Sequence, residues 1–160
     1  AAKVDLAEGG RVIKRIERPG APGEHPQPGS RVRVHYVGKL EDGTIFDSSV
    51  ARNAPFVFNV GIGQVIAGWD RGVASMTRGE KAVLTIAPEY GYGNRAIGPI
   101  PANSTLTFEV ELIDFDPPRE LQDALVRMGI ALLIIAMAFV YFWRNRPEAE
   151  MAGAGLGNQQ

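Results

Sequence analysis

Apolar and polar residues alternate with a period of two along much of this chain, and no other feature constrains its fold as strongly. In TLTFEVEL, residues 105–112, each even-numbered residue is apolar and each odd-numbered residue is polar. Side chains in a strand point to opposite faces in turn, so this segment is expected to have one buried face. Further strands are predicted in RVRVHYV (31–37), FVFNV (56–60) and KAVLTIA (81–87). No long crossover helix separates them, which favours antiparallel pairing.

One short helix interrupts this pattern. Apolar residues recur at Ile66, Trp69, Val73 and Met76, which is helical spacing, and Gly79 is suited to end the helix. The turn-rich segment 19–29 most simply connects two early strands. The sequence therefore predicts an α+β fold, in which a curved antiparallel sheet wraps on one short helix and encloses a single core.

The composition changes sharply at residues 128–143, MGIALLIIAMAFVYFW, which contain no charged residue. As a helix this run spans about 24 Å, and residues 125–127 extend it toward the roughly 30 Å of a hydrocarbon core if Arg127 reaches the interface. Three aromatic residues at 141–143 precede Arg144, as in an interfacial anchor. The run is apolar on every side, whereas a helix packed on a small domain needs a polar outer face. A single transmembrane helix is therefore favoured over a helix buried against the domain.

These features divide the chain into four parts. We expect a folded domain over residues 1–115 and a linker over 116–124, whose two prolines end the preceding strand before the chain turns into helix. The transmembrane helix is predicted at 125–143, and a polar, disordered tail at 144–160.

Several classes of site are not indicated by the composition. The chain has no cysteine, which excludes disulfides, thiolate nucleophiles and Cys-based zinc sites. His25 and His35 have no partner at metal-ligand spacing and are expected at the surface, so neither a metal nor a cofactor is predicted. The net charge of −1, with scattered basic residues, argues against nucleic acid as a partner. No motif of nucleophilic catalysis or phosphate binding is present.

Four long blocks carry a resemblance to a known family. They are VHYVGKLEDGTIFDSS (34–49), PFVFNVG (55–61), QVIAGWDRGVASMTRGEKAVLTIAPEYGYG (64–93) and IPANSTLTFEVEL (100–112). In order and spacing they resemble the FKBP family of peptidyl-prolyl cis-trans isomerases over about residues 3–115. The resemblance implies a half-barrel of antiparallel strands on one helix, proline-containing peptide segments as substrates, and the macrolides tacrolimus and rapamycin as inhibitors.

The resemblance also implies a set of site residues. Trp69 matches the indole at the bottom of the family's proline pocket, and Arg52 matches the residue that pairs with the pocket aspartate. Asp47 and Tyr92 match the polar groups at the mouth of the pocket. The remaining pocket residues implied by the match are apolar or aromatic: Tyr36, Phe46, Phe56, Val65, Ile66, Ile100 and Phe108.

The sequence departs from the family pattern at two places. The loop GNRAIGPIPANS (93–104) is about one residue shorter than in the smallest members and has Pro99 where an apolar side chain is usual. Gln64 stands where an acid is frequent, which would weaken a backbone contact to macrolides. Neither departure removes the pocket, but the loop leaves the substrate preference open.

Two functions are consistent with these features. The first is a prolyl isomerase tethered to a lipid bilayer, which assists folding of proline-containing proteins. The second is a noncatalytic accessory or scaffold subunit of a membrane protein complex. The intact pocket favours the first. Residues 1–20 lack the apolar stretch of a signal peptide, which favours insertion by the tail with the domain in the cytosol. Ala1 keeps an organelle-facing domain, produced by presequence removal, as the alternative.

Overall fold

The computed structural model describes residues 2–144, which divide into two compact units at residue 119. The predicted disordered tail lies outside the described residues, apart from residue 144. The strands are β1 (Lys3–Ala7), β2 (Val12–Arg18), β3 (Arg31–Lys39), β4 (Ile45–Ser48), β5 (Phe56–Asn59), β6 (Lys81–Ile86) and β7 (Leu106–Asp116). The helices are α1 (Ala67–Ala74), a 3-10 turn (Pro88–Tyr90) and α2 (Arg119–Arg144).

Within residues 2–144 the seven strands form one antiparallel sheet, as predicted. Six of them follow one another in the order β1-β2-β6-β7-β3-β4, and β5 pairs with β3 outside this order. Strand β3 is shared: its first half also pairs with β5, whereas its second half pairs with β4. The segment 19–29 connects β2 to β3, as expected. Strands β1 and β4 were not predicted, because both are short. A strand before residue 19 was expected, but its bounds were not predicted, because β2 is rich in charged residues.

The alternation in β7 has the predicted consequence. Its residues Leu106, Phe108, Val110 and Leu112 are buried and face the core. The pairing with β3 shifts by one residue after Leu112, so the alternation changes phase and Phe115 is buried at the end of the strand. The sheet therefore presents a continuous apolar surface to the helix.

Helix α1 lies close against β6. An added Cβ at Gly68 would come within 2.5 Å of Ile86, and one at Gly72 within 2.5 Å of Leu84. Both positions therefore need glycine for the helix to approach the strand. The helix is shorter than the predicted span from 66 to 76, since it begins after Ile66 and ends at Ala74.

A buried ion pair joins β2 to the turn after α1. The Lys14 ammonium lies 2.9 Å from a Glu80 carboxylate oxygen, and both side chains are 5% exposed. Lys14 also donates to the Ser75 carbonyl at 2.8 Å, and the Thr77 N–H donates to the other Glu80 oxygen at 3.0 Å. Both charges are thus hydrogen-bonded, as buried charges must be.

Helix α2 forms the second unit. It begins at Arg119, inside the segment predicted as a linker, and the run from 128 to 143 continues it without a break. It is long and apolar enough to cross a membrane. Side chains along the run are well exposed, with Leu132 at 65%.

Candidate active site

A cavity of about 290 Å³ is lined by residues of the sheet, of α1 and of adjoining loops. Its lining residues come from β3, β4, β5, β7, α1 and the loops next to them: Tyr36, Phe46, Asp47, Phe56, Gln64, Val65, Ile66, Trp69, Tyr92 and Phe108. Nine of the eleven residues implied by the resemblance line this cavity. The exceptions are Arg52, which pairs with Asp47, and Ile100, which is buried in the core and bridges to Ile97 through the backbone.

Trp69 is the centre of the aromatic lining. It lies in the first turn of α1 and is 4% exposed. Its ring centroid is 4.9 Å from that of Tyr36 and 5.2 Å from that of Phe108, both nearly perpendicular to it. Edge-to-face packing of this kind is favourable for aromatic rings. Phe58, which the resemblance did not include in the site, packs against Trp69 at 5.6 Å.

A polar cluster lies at one side of the cavity. The Tyr36 hydroxyl donates to the Asp47 carboxylate, which also pairs with Arg52. Arg52 donates in addition to the Tyr36 oxygen at 3.0 Å. The cluster forms because β3 and β4 pair antiparallel, with Gly38 opposite Asp47.

The cluster fixes the protonation of both acidic groups. Burial acts to raise the pKa of Asp47, but the hydrogen bond from Tyr36 and the Arg52 guanidinium outweigh it, and the pKa lies below its usual range. The pKa of Tyr36 is raised, first by burial and then by its bond to Asp47. At neutral pH the site therefore holds an ionised carboxylate and a neutral phenol.

This shift predicts a pH dependence of stability. The lowered pKa of Asp47 adds stability above the unfolded-state pKa of about 3.9, and this stability is lost as the pH falls through the lower folded-state pKa. The difference in unfolding free energy between the parent and Asp47→Asn is expected to be constant above about pH 5 and to shrink below about pH 4. Urea unfolding across this range measures it. A difference that does not change down to about pH 3 would contradict the assigned ion pair.

Gly38 provides space for two of the pocket rings. A Cβ at this position would lie 2.7 Å from Phe46 and 2.9 Å from Phe108. Only glycine lets these side chains reach the cavity from their strands. A glycine next to a predicted strand often marks such a close approach, which is the one sequence signal that could have identified it.

Two side chains tie down the loop that carries Val65 and Ile66. The Asp70 carboxylate accepts from the backbone N–H of Gly61 at 2.9 Å and of Gly63 at 3.0 Å. The Gln64 side-chain oxygen accepts from the Asn59 N–H at 2.8 Å. Sequence reasoning gave Asp70 no role in the site, although it directly follows Trp69 in α1, and it noted Gln64 only as a departure from the family pattern. The loop wall of the cavity is therefore held from the helix.

Tyr92 also lines the cavity and is 39% exposed. Its backbone is fixed by the turn after Tyr90, where the Gly93 N–H donates to the Pro88 carbonyl at 2.8 Å. The hydroxyl makes no hydrogen bond within residues 2–144. It is thus available to a ligand.

Tyr92→Phe is expected to leave the fold unchanged and to weaken ligand binding. The predicted contact is one hydrogen bond to the ligand, and its loss should cost about 0.5 to 1.5 kcal/mol, or a factor of roughly 2 to 12 in dissociation constant. Tyr90→Phe is the matched control, because Tyr90 packs against the core and does not line the cavity. Titration calorimetry with rapamycin measures both. Equal affinities for the parent and Tyr92→Phe would exclude the predicted contact.

The histidines have structural contacts. His25 lies 3.0 Å from the Met76 carbonyl, and His35 lies 3.0 Å from the Ser49 hydroxyl. His25 is exposed as predicted, whereas His35 is half-buried. Among residues 2–144, no group of three or more potential metal-ligating side chains was found.

An antiparallel sheet packed on one short helix, with a cavity lined by aromatic residues, defines an FKBP-like fold. The sequence model described as FKBP-type peptidyl-prolyl cis-trans isomerase matches residues 23–113. The chain belongs to this family of enzymes.

Individual relatives support the same assignment. FK506-binding protein 1A of Aspergillus fumigatus is 54% identical over 109 residues, which cover 68% of this chain and 97% of that protein. A peptidyl-prolyl cis-trans isomerase of Schizosaccharomyces pombe is 53% identical over 103 residues, covering 64% of this chain and 92% of that protein. A crystal structure of the three FKBP domains of wheat FKBP73 is similar with a TM-score of 0.67 and 35% identity, covering 72% of this chain and 50% of that chain.

Proposed function

We propose that the 290 Å³ cavity is the active site at which the enzyme isomerises X–Pro bonds. The observation that carries this proposal is the convergence of aromatic side chains from separate strands on Trp69. We assign Trp69 to the floor beneath the proline ring, with Tyr36, Phe56 and Phe108 as walls. Ile100 supports this wall from the core, since it does not line the cavity.

The chemistry follows from the amide bond itself. Resonance holds the X–Pro amide planar, and rotation must cross a barrier of about 18 to 20 kcal/mol. The twisted amide has lost this resonance and is less dipolar than the planar one. An apolar, ring-lined site therefore disfavours the planar form relative to the twisted form, which lowers the barrier. No covalent step is needed.

The polar groups orient the bound peptide. The free hydroxyl of Tyr92 is placed to donate a hydrogen bond to a peptide carbonyl. Asp47 is held ionised by Arg52 and holds the Tyr36 ring edge-on to Trp69. We further propose that FK506 (tacrolimus) and rapamycin occupy the same cavity, in line with the names of the FK506-binding relatives.

An exchange assay tests the active site. Residues 1–118 contain the whole first unit but one residue, and the match to 97% of a relative's own length supports the choice of this fragment. This fragment is expected to accelerate cis-trans exchange of an X–Pro peptide, and rapamycin is expected to block the acceleration. Rapamycin binding without any acceleration would instead support a noncatalytic accessory subunit.

We also propose that residues 125–143 tether the enzyme to a bilayer, between a linker at 116–124 and a tail at 144–160. The domain at 1–115 then assists folding of proline-containing proteins near that membrane. The support is α2, which is long and apolar enough to span a bilayer and lies outside the residues matched by the family. An aromatic group at 141–143 beside Arg144 suits one interface.

Alkaline carbonate extraction tests the tether. The full-length chain is expected to stay in the membrane pellet, while residues 1–118 go to the supernatant. Release of the full-length chain would refute the anchor. Protease added to intact membranes then determines the side: digestion indicates a cytosolic domain, and protection until detergent is added indicates an organelle interior.

A further inference from the structure

The distance between the enzyme domain and the membrane is limited by a short segment. The last strand ends at Asp116, and the uncharged run begins at Met128, so only residues 117–127 lie between them. Even fully extended, this segment spans at most about 40 Å. Residues 119–127 belong to α2, and as helix they rise only about 13 Å.

The charge of this segment does not change the limit. Arg119 and Arg127 are balanced by Glu120 and Asp123. A segment without net charge is not drawn onto anionic lipid as a polybasic segment is. Chain length and not electrostatic attraction therefore sets how far the domain moves from the bilayer.

The domain itself adds a known distance. A domain of this length has a radius of gyration of about 13 Å, hence a diameter of about 35 Å. With residues 119–127 helical, the cavity stays within about 50 Å of the bilayer surface in any orientation of the domain. Because the domain is held near the bilayer, the effective concentration of targets within its reach is raised. Targets that lie farther from the bilayer than the domain can reach gain no such advantage.

We propose that the substrates of this enzyme are X–Pro bonds in juxtamembrane segments, within about 50 Å of the surface of the bilayer that holds α2. This inference rests on the proposed active site and tether. In this proposal the tether selects substrates by their distance from the bilayer. The cavity therefore needs no strong preference for the sequence around the proline.

Reconstituted vesicles of phosphatidylcholine test the proposal. Each vesicle preparation holds the full-length chain and two lipid-anchored X–Pro reporter peptides on semi-rigid helical spacers of about 10 and about 80 residues, or roughly 15 and 120 Å. Isotope labels that differ between the reporters let exchange spectroscopy measure both rates in one sample. The ratio of the two rates cancels any variation in the amount of outward-facing enzyme.

The full-length chain is expected to accelerate the short-spacer reporter at least about tenfold more than the long-spacer reporter. Residues 1–118 at the same bulk concentration should accelerate both equally. A variant with about 40 Gly/Ser residues inserted between Pro118 and Arg119 gains about 35 Å of r.m.s. reach and should lower the ratio. Equal acceleration of both reporters by the parent chain would overturn the proposal.

Two further measurements distinguish a wrong substrate class from a wrong active site or a wrong tether. A free X–Pro peptide that neither chain accelerates would refute the active site, and with it this inference. Failure of the full-length chain to float with the vesicles would refute the tether, and again this inference. Flotation and activity on the free peptide, together with equal rates on both reporters, would refute the substrate class alone.

Discussion

Lys14→Met is expected to destabilise the domain by about 3 to 5 kcal/mol, because it leaves the charge of Glu80 buried without its partner. Glu80 is only 5% exposed, so water cannot replace the lost ammonium without opening the turn after α1. Urea unfolding of residues 1–118, with linear extrapolation to water, measures the change. The matched control is Arg18→Met on the same strand. Its partner Glu111 is 40% exposed, and breaking this pair should cost less than about 1 kcal/mol.

The double variant Lys14→Met/Glu80→Met distinguishes the effect of losing the ion pair from the effect of leaving one buried charge without a partner. Replacing both charges by apolar side chains removes the cost of burying them, and such replacements are often neutral or stabilising. The double variant should therefore recover most of the stability lost in Lys14→Met. A single variant as stable as the parent would show that the pair does not have the assigned role.

Trp69→Ala is expected to abolish measurable rapamycin binding and to cost about 3 to 5 kcal/mol of stability. The indole is the only side chain that contacts the rings of Tyr36, Phe56 and Phe108 together among the described aromatic pairs. Its loss removes the floor of the cavity. Calorimetric titration, at a temperature where circular dichroism shows the variant to be folded, measures the binding.

A comparably destabilised control distinguishes loss of the floor from loss of folding. Met76 is fully buried just after the same helix and does not line the cavity. Met76→Ala should cost about 2 to 5 kcal/mol and retain rapamycin binding when folded. Folded Trp69→Ala that binds rapamycin like the parent would show that Trp69 is ordinary core.

Strands β3 and β7 could be predicted from alternation, because in each of them one face is buried and the other is less buried. Strand β7 shows its alternation because Thr107, Glu109 and Glu111 face away from the core. Strand β2 could not be recognised in this way, since Lys14 occupies a buried position and is paired with a residue 66 positions later in the chain. A pattern of neighbouring residues cannot reveal that Lys14 is buried, because its partner lies far away in the sequence.

Sequence reasoning could predict the side chains that line the site. It could not predict the residues that hold those side chains in place. Rings and polar groups that touch a ligand belong to a recognisable family pattern, which located nine of the ten lining residues. Gly38 and Asp70 contribute through a close approach and through backbone hydrogen bonds. These two contributions depend on which distant segments come together in the fold. The identity of a single residue does not determine this.

The position of β7 also bears on how the protein is made. It lies between β6 and β3 in the sheet, yet it is the last strand along the described chain. While the ribosome still holds residues 106–116, β3 and β6 each have an unpaired edge, and exposed edges invite association with other chains. Phe108 is also missing from the cavity at that stage. The nascent enzyme is therefore inactive until its final strand emerges, only a few residues before the apolar helix follows it.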